Sequence, residues 1–189
     1  MNHKNIALIG MSNTGKTFLG EHLAINRNAK LHDVDASIMQ SLNLPNMEGL
    51  AHWLKNPSHP IFKEREALYL EQEVAQTQYL VQKILESEGG ILSTTGSFPH
   101  LPPNVHDLVR DHFHVVYLQF GAEQLSDMQE SYIKTPKPLV FGETVPVYPN
   151  NFSEEVARYY SNLVERRLVI YEGLADQTVL VLDKSGQKM

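Results

Sequence analysis

The sequence contains no cysteine, so disulfides, thiolate-ligated zinc and thiol catalysis are all excluded. It has no apolar run near the roughly 18 residues that a membrane-spanning helix needs. The N-terminal Met1-Asn2-His3-Lys4 leads into a short strand-like segment, without the apolar stretch and cleavage site of a signal peptide. A basic excess is also missing. Sixteen Lys and Arg stand against 22 Asp and Glu, a formal net charge of −6, which argues against a nucleic-acid coat or a binder of anionic membranes. What remains is a globular balance, 42% apolar and 20% charged, over 189 residues, enough for one domain with a sizeable core. The expectation is a single soluble, cytoplasmic domain over residues 1–189, a monomer or weak homodimer.

Apolar stretches of strand character alternate with longer helical ones. Ile6-Ala7-Leu8-Ile9 reads as a strand buried on both faces and stops at Gly10. A helix is expected from Thr17 to Ala24, and Leu31-His32-Asp33-Val34 reads as a half-polar second strand. Residues from about Ile61 to Glu88 carry Leu68, Leu70, Val74, Leu80, Ile84 and Leu85 at helical spacing, and Gly89-Gly90 ends that helix. Further strands are expected at Ile91–Thr94, Val115–Leu118 and Thr178–Leu182, with helices at about 122–133 and 153–172. Strands separated by helices imply parallel βαβ units, hence a three-layer α/β/α fold with a central five-stranded parallel sheet. A helical insert covers about 36–88. The stretch from Thr135 to Asn151 holds four prolines without periodicity, too long for an ordinary connection, and is read as part of a lid over about 134–150.

Gly10-Met11-Ser12-Asn13-Thr14-Gly15-Lys16-Thr17 fits G-x-x-x-x-G-K-[ST], after a buried strand and before a helix, where that motif belongs. Its glycines let successive N–H groups turn inward on phosphate oxygens at the positive end of a helix. Lys16 adds a full charge for the β- and γ-phosphates, and the Thr17 hydroxyl is placed for Mg²⁺. The nucleotide-contacting set is therefore Gly10, Ser12, Asn13, Thr14, Gly15, Lys16 and Thr17, with Phe18 beside it. Asp33-Val34-Asp35 stands at the end of the second strand, where carboxyl ends of parallel strands line the ligand crevice. Two residues apart on a strand point the same way, which would give one carboxylate to the metal shell and one to an acceptor hydroxyl. The competing reading has Asp35 merely capping a helix that begins at Ala36.

These pieces, with the Phe62–Glu66 segment, Leu92-Ser93-Thr94-Thr95-Gly96, Val115–Leu118, Lys137-Pro138-Leu139 and Arg167–Tyr171, recur in an order that resembles shikimate kinase within the P-loop small-molecule kinases. The resemblance implies ATP, Mg²⁺ and transfer of the γ-phosphoryl group to a small-molecule hydroxyl. It implies that Asp33 and Thr17 serve the metal and that Asp35 and Lys16 are catalytic, Asp35 binding the acceptor hydroxyl. Lys63, Thr95, Gly96 and Arg167 would complete the acceptor site, Arg167 on its carboxylate, and Lys137 would meet ATP phosphates from the lid.

The chain departs from that pattern at Thr94-Thr95-Gly96, where the family has three glycines, and at Lys63, where it has an arginine. Lysine lacks the planar two-pronged grip on a carboxylate. The acceptor therefore stays open, with an ATP-binding switch or a nucleoside or nucleotide kinase as alternatives. No N-K-x-D guanine signature occurs. Lys134 is a second lid cation, and Arg158 and Arg166 share one helix face, as apt for solvent as for function. Of nine histidines only His112-Phe113-His114 has a spacing that would put two on one strand face, with no third ligand near. Trp53 and the Leu50–Leu54 cluster read as core.

Overall fold

A strand as apolar as Ile6–Ile9 must lose solvent on both faces, and it does so at the centre of the sheet. The computed structural model describes residues 4–55, 57, 59–121, 124–125, 128, 130, 138–142 and 152–181, apart from the side chains of 152–158. The chain runs β1 (Ile6–Ile9), α1 (Lys16–Arg27), β2 (Lys30–Asp33), α2 (Val34–Ser41), α3 (Met47–Leu54) and α4 (Phe62–Leu85). It continues through β3 (Gly90–Ser93), a 3₁₀ turn (Phe98–His100), α5 (Pro103–His112), β4 (His114–Phe120), α6 (Phe152–Leu174) and β5 (Gln177–Val181). All five strands are parallel, in the order β2-β3-β1-β4-β5.

Side chains alternate across β1 and so build two cores. Ala7 and Ile9 join Ile38, Leu50, Leu54, Tyr69, Ile84, Val105, Val109 and Tyr171 from α2 to α6. Ile6 and Leu8 join Ile91, Val116 and Leu118 against Ala24, Leu19 and Leu23 of α1. Helices thus cover both faces, the three-layer arrangement expected from the order of segments. β2 is half-polar because it is an edge strand, hydrogen-bonded only to β3. No helix among the described residues is long and apolar enough to cross a membrane.

Several boundaries differ from expectation. β2 ends at Asp33, and α2 begins at Val34, so Asp33 and Asp35 are not two residues of one strand. The cap of α2 is Asp33, whose side chain accepts from the Ala36 N–H, and Asp35 lies in the first helical turn. No helix was expected over 103–112, yet α5 forms there. Pro102-Pro103 resembles a loop, but a proline at the first helical position costs nothing because that N–H has no helical partner. His112 closes α5 and His114 opens β4, so the His112-Phe113-His114 run is not one strand face. Trp53 packs against the core under the Arg65 guanidinium, 4.7 Å from its ring centre. Most of the helix expected at about 122–133 lies outside the described residues, as do Lys134, Lys137 and the Arg158 side chain.

Candidate active site

The loop between β1 and α1 is bent by residues with positive φ: Gly10 at 143°, Asn13 at 69° and Gly15 at 81°. A Cβ on Gly10 would stand 2.7 Å from the Leu118 carbonyl oxygen, so no side chain fits. The Thr14 hydroxyl donates to the Met11 carbonyl at 2.9 Å and closes the turn from within. Gly15 is the N-cap of α1, so the N–H groups of the first helical turn have no acceptor within the helix. Lys16 is buried, its ammonium donating to the carbonyls of Gly10 at 2.8 Å and Met11 at 2.7 Å. A buried cation over a ring of N–H donors is a site for a polyanion.

One cavity of about 260 Å³ is lined by this loop, the end of β3, the first turns of α2 and α3, Tyr69 within α4 and Arg167 within α6. Ser12, Asn13, Gly15, Lys16 and Thr17 form one wall, with Phe18, which is 67% exposed, at the rim. Its ring lies 4.3 Å from that of His22. The Thr17 hydroxyl donates to Asp33 Oδ2 at 2.9 Å, so the second residue of α1 and the last residue of β2 meet. A hydroxyl and a carboxylate are hard oxygen donors, the set that suits Mg²⁺.

Asp35, Tyr69, Ser93, Thr94, Gly96, Ser97 and Arg167 also line the cavity. The Tyr69 hydroxyl donates to Asp35 Oδ1 at 3.5 Å. One turn along α4, Glu73 is 1% exposed and accepts two hydroxyl protons, from Ser97 at 2.6 Å and from Thr95. Burial pushes Glu73 up to about 7, against the Ser97 and Thr95 hydrogen bonds; Asp35 pushes the same way and Arg167 opposes. Gly96 lets the β3 loop touch the phosphate loop: a Cβ there would stand 2.5 Å from Ser12 Oγ and 3.0 Å from Ser12 N. The Tyr171 hydroxyl donates to the Gly96 carbonyl at 2.8 Å and fixes that approach.

Of the residues expected at the acceptor, Asp35, Gly96 and Arg167 line the cavity. Thr95 instead turns its hydroxyl into the protein, toward Glu73, and Thr94 donates to the Leu8 carbonyl at 3.1 Å. Both threonines are 1% exposed, and Thr94 lines the cavity. Lys63 is directed away, donating to the Gly142 carbonyl at 2.7 Å and pairing with Glu66 at 3.2 Å. Glu66, 3% exposed, also accepts from the N–H groups of Phe141 and Gly142. Arg167 is 2% exposed and donates from Nη2 to the Val140 carbonyl at 2.6 Å and from Nε to His100 Nε2 at 3.1 Å. Burial, with Arg167 beside it, lowers His100 to about 3, so the ring is neutral and accepts. Arg166 is exposed on α6. Sequence reasoning missed Glu66, Tyr69 and Glu73. Their signal was a polar stripe at spacings of three and four on the face that α4 buries.

The chain matches the shikimate kinase family model over residues 12–188. Among solved structures, shikimate kinase from Acinetobacter baumannii in complex with shikimate is 21% identical, with a TM-score of 0.68 over 94% of this chain and 83% of that one. The enzyme from Bacteroides thetaiotaomicron is 19% identical, with a TM-score of 0.62 over 94% and 86%. That from Aquifex aeolicus is 21% identical, with 0.61 over 93% and 86%. A comparison with curated protein sequences returned no match. At these identities the structural likeness carries the fold, and the family match carries the rest. The chain belongs to the shikimate kinase family, as an ATP-dependent phosphotransferase that acts on an alcohol group of a small molecule.

Proposed function

We propose that the Gly10–Thr17 loop binds the phosphates of ATP and that Asp35 orients the acceptor hydroxyl for attack. The supporting observation is that Lys16 and Asp35 line one cavity, with Thr17, also in its lining, hydrogen-bonded to Asp33. Phosphoryl transfer asks the protein for position and neutralisation more than for covalent help. Ser12, Asn13, Thr14 and Gly15 supply the backbone cradle, Lys16 the charge, and Phe18 an exposed ring beside it. Thr17 and Asp33 are the residues that would hold Mg²⁺, which supplies charge neutralisation across the phosphates when bound. Transfer forms a bond between the acceptor oxygen and the γ-phosphorus and breaks the bond to ADP. The hydroxyl proton passes to the Asp35 carboxylate and from there to water.

Residues 1–189 are read as one domain with a helical insert at about 36–88. The lid reading, about 134–150 with Lys137 facing the phosphates, draws support from the anchoring of Val140 to Gly142 by Arg167 and Glu66. A closed lid keeps water out, which would otherwise turn transfer into hydrolysis.

The test is ADP release with ATP and Mg²⁺ over a panel of hydroxyl compounds. Acceptor-dependent release, reduced about 100-fold or more in Lys16→Ala, is the expected result. Tight ATP binding with no stimulation by any acceptor would overturn the reading.

A further inference from the structure

Glu66, Tyr69 and Glu73, spaced by three and four on the buried face of α4, reach three different segments of the chain. Glu66 accepts from the N–H groups of Phe141 and Gly142, and Glu73 is bonded to the Ser97 and Thr95 hydroxyls of the β3 loop. Between them Tyr69, 2% exposed, lines the cavity, and its hydroxyl donates to Asp35 Oδ1 at 3.5 Å. The outer two contacts hold loops. The middle one holds the carboxylate that the kinase reading places at the acceptor hydroxyl.

A phenol has one proton, and two side chains adjoin this one, Asp35 and Ser97. An ionised carboxylate is the stronger acceptor, so the proton is directed to Asp35. Burial, then Asp35 and Glu73, raise Tyr69 well above its ordinary value, so the phenol stays neutral and keeps that proton. The backbone under Asp35 is fixed against α4 as well. The Ser37 hydroxyl donates to Gln76 Oε1 at 2.7 Å and the Ser41 hydroxyl to Gln72 Oε1 at 3.0 Å, while Val34 and Ile38 are buried in the core. Of these contacts between α2 and α4, the one that lines the cavity is Asp35 with Tyr69. With α2 fixed, the carboxylate can still rotate about its own side-chain bonds, and a donor on Oδ1 restricts that rotation.

We propose that Tyr69 is a positioning residue for phosphoryl transfer, its hydroxyl aiming the Asp35 carboxylate at the acceptor oxygen. This rests on the kinase reading above and deepens it. The acceptor proton still passes to Asp35, while Tyr69 keeps its own proton and takes part in no bond change. Its effect is on the fraction of bound acceptor that meets the carboxylate in the attacking geometry, and a displacement of about 1 Å is enough to cost rate steeply. Loss of the hydroxyl therefore shows in kcat rather than in the binding of either substrate.

The experiment measures ADP release by the full chain with ATP, Mg²⁺ and the best acceptor of the panel above. In Tyr69→Phe, which keeps the ring and removes one oxygen, kcat should fall about tenfold while the KM values for acceptor and ATP change less than about threefold. In an Asp35→Ala background the same change should cost less than about twofold, because the carboxylate it aims is gone. Gln76→Leu breaks a neighbouring bond between α2 and α4 away from the cavity and should leave kcat within about twofold of the parent. Should Tyr69→Phe fail to fold, 3-fluorotyrosine at position 69 keeps both ring and hydroxyl. Its more acidic phenol draws charge from Asp35 and should lower kcat about twofold or more with both KM values held. An unchanged kcat in the folded variant, a loss carried by the acceptor KM, or equal losses in Tyr69→Phe and Gln76→Leu overturns this proposal and leaves the kinase reading standing. So do additive losses in the double variant. Failure of every acceptor to stimulate release removes the kinase reading and this proposal together.

Discussion

Thr17 and Asp33 are joined by a hydrogen bond of 2.9 Å that ties the end of the phosphate loop to the end of β2. The same aspartate caps α2, its Oδ1 accepting from the Ala36 N–H at 3.0 Å. One side chain thus serves a helix and an oxygen-donor site at once. The two duties separate on substitution. Asp33→Asn keeps a carbonyl oxygen for the cap but loses the charge. Its stability should stay near that of the parent, while the Mg²⁺ concentration for half-maximal activity rises about tenfold or more. Asp33→Ala should lose about 1 kcal/mol of stability besides. Denaturant melts and Mg²⁺ titrations of both variants decide it; equal Mg²⁺ dependence in Asp33→Asn would remove Asp33 from the metal shell.

Gly96→Ala should be costly although Gly96 is in an ordinary backbone conformation. The added methyl would meet Ser12 Oγ at 2.5 Å and Ser12 N at 3.0 Å. Overpacking of this kind costs about 1–3 kcal/mol, and here the yielding partner is the nucleotide loop. The ATP KM should therefore rise along with the loss of stability. Adding Ser12→Gly removes the nearer clash and should restore part of both losses. A double variant no better than the single one would show that the contact is not the cause.

Glu73 should make stability fall with rising pH. Its carboxyl is raised to about 7 from an ordinary 4.5, by burial first, with Asp35 from α2 and Arg167 from α6 as the facing charges. Tyr69 and Tyr171 also adjoin it, both neutral because burial raises them. The folded chain keeps this proton at pH values where the unfolded chain has released it. The stabilising contribution is complete below about 4.5 and is lost as pH rises through about 7. Urea midpoints from pH 5 to 8 should fall for the parent and fall less for Glu73→Gln. Parallel slopes would mean that Glu73 does not titrate in this window.

Lys63 and Glu66 should behave as a brace for residues 141–142. Glu66→Ala strips the Phe141 and Gly142 N–H groups and the Lys63 ammonium of their shared acceptor, a loss of about 1–3 kcal/mol. Lys63 is half-exposed, and Lys63→Met should cost less than about 1 kcal/mol. Its acceptor KM should change by no more than about twofold, whereas a cation gripping the acceptor would have moved it further. Steady-state kinetics of Lys63→Met distinguish the two.

The nucleotide half of the site was legible because it is local. Spacing from Gly10 to Thr17, an apolar strand before and a helix after, are all properties of one continuous segment. The acceptor half is assembled from α2, α4, the β3 loop and α6, and no spacing within one segment reveals that. Glu66, Tyr69, Glu73 and Thr77 occupy the buried face of α4, yet polar residues at those positions resemble a solvated surface until their partners are known. Asp35 was identified without its setting: it stands in the first turn of a helix, not on a strand. Lys63 was drawn to the acceptor by alignment with an arginine, and Gly142, 79 positions away in sequence, decides where its ammonium goes.

The neighbouring of β1 and β3 has a consequence beyond architecture. Leu8 lies opposite Ser93, and the ladder runs one step further through the Thr94 N–H to the Leu8 carbonyl at 3.0 Å. The Gly10–Thr17 loop and the Thr94–Ser97 loop therefore set out from points one interstrand gap apart, about 4.8 Å. That gap is a ruler made of backbone hydrogen bonds, indifferent to side chains. Side-chain replacements in either loop leave that spacing between their starting points in place.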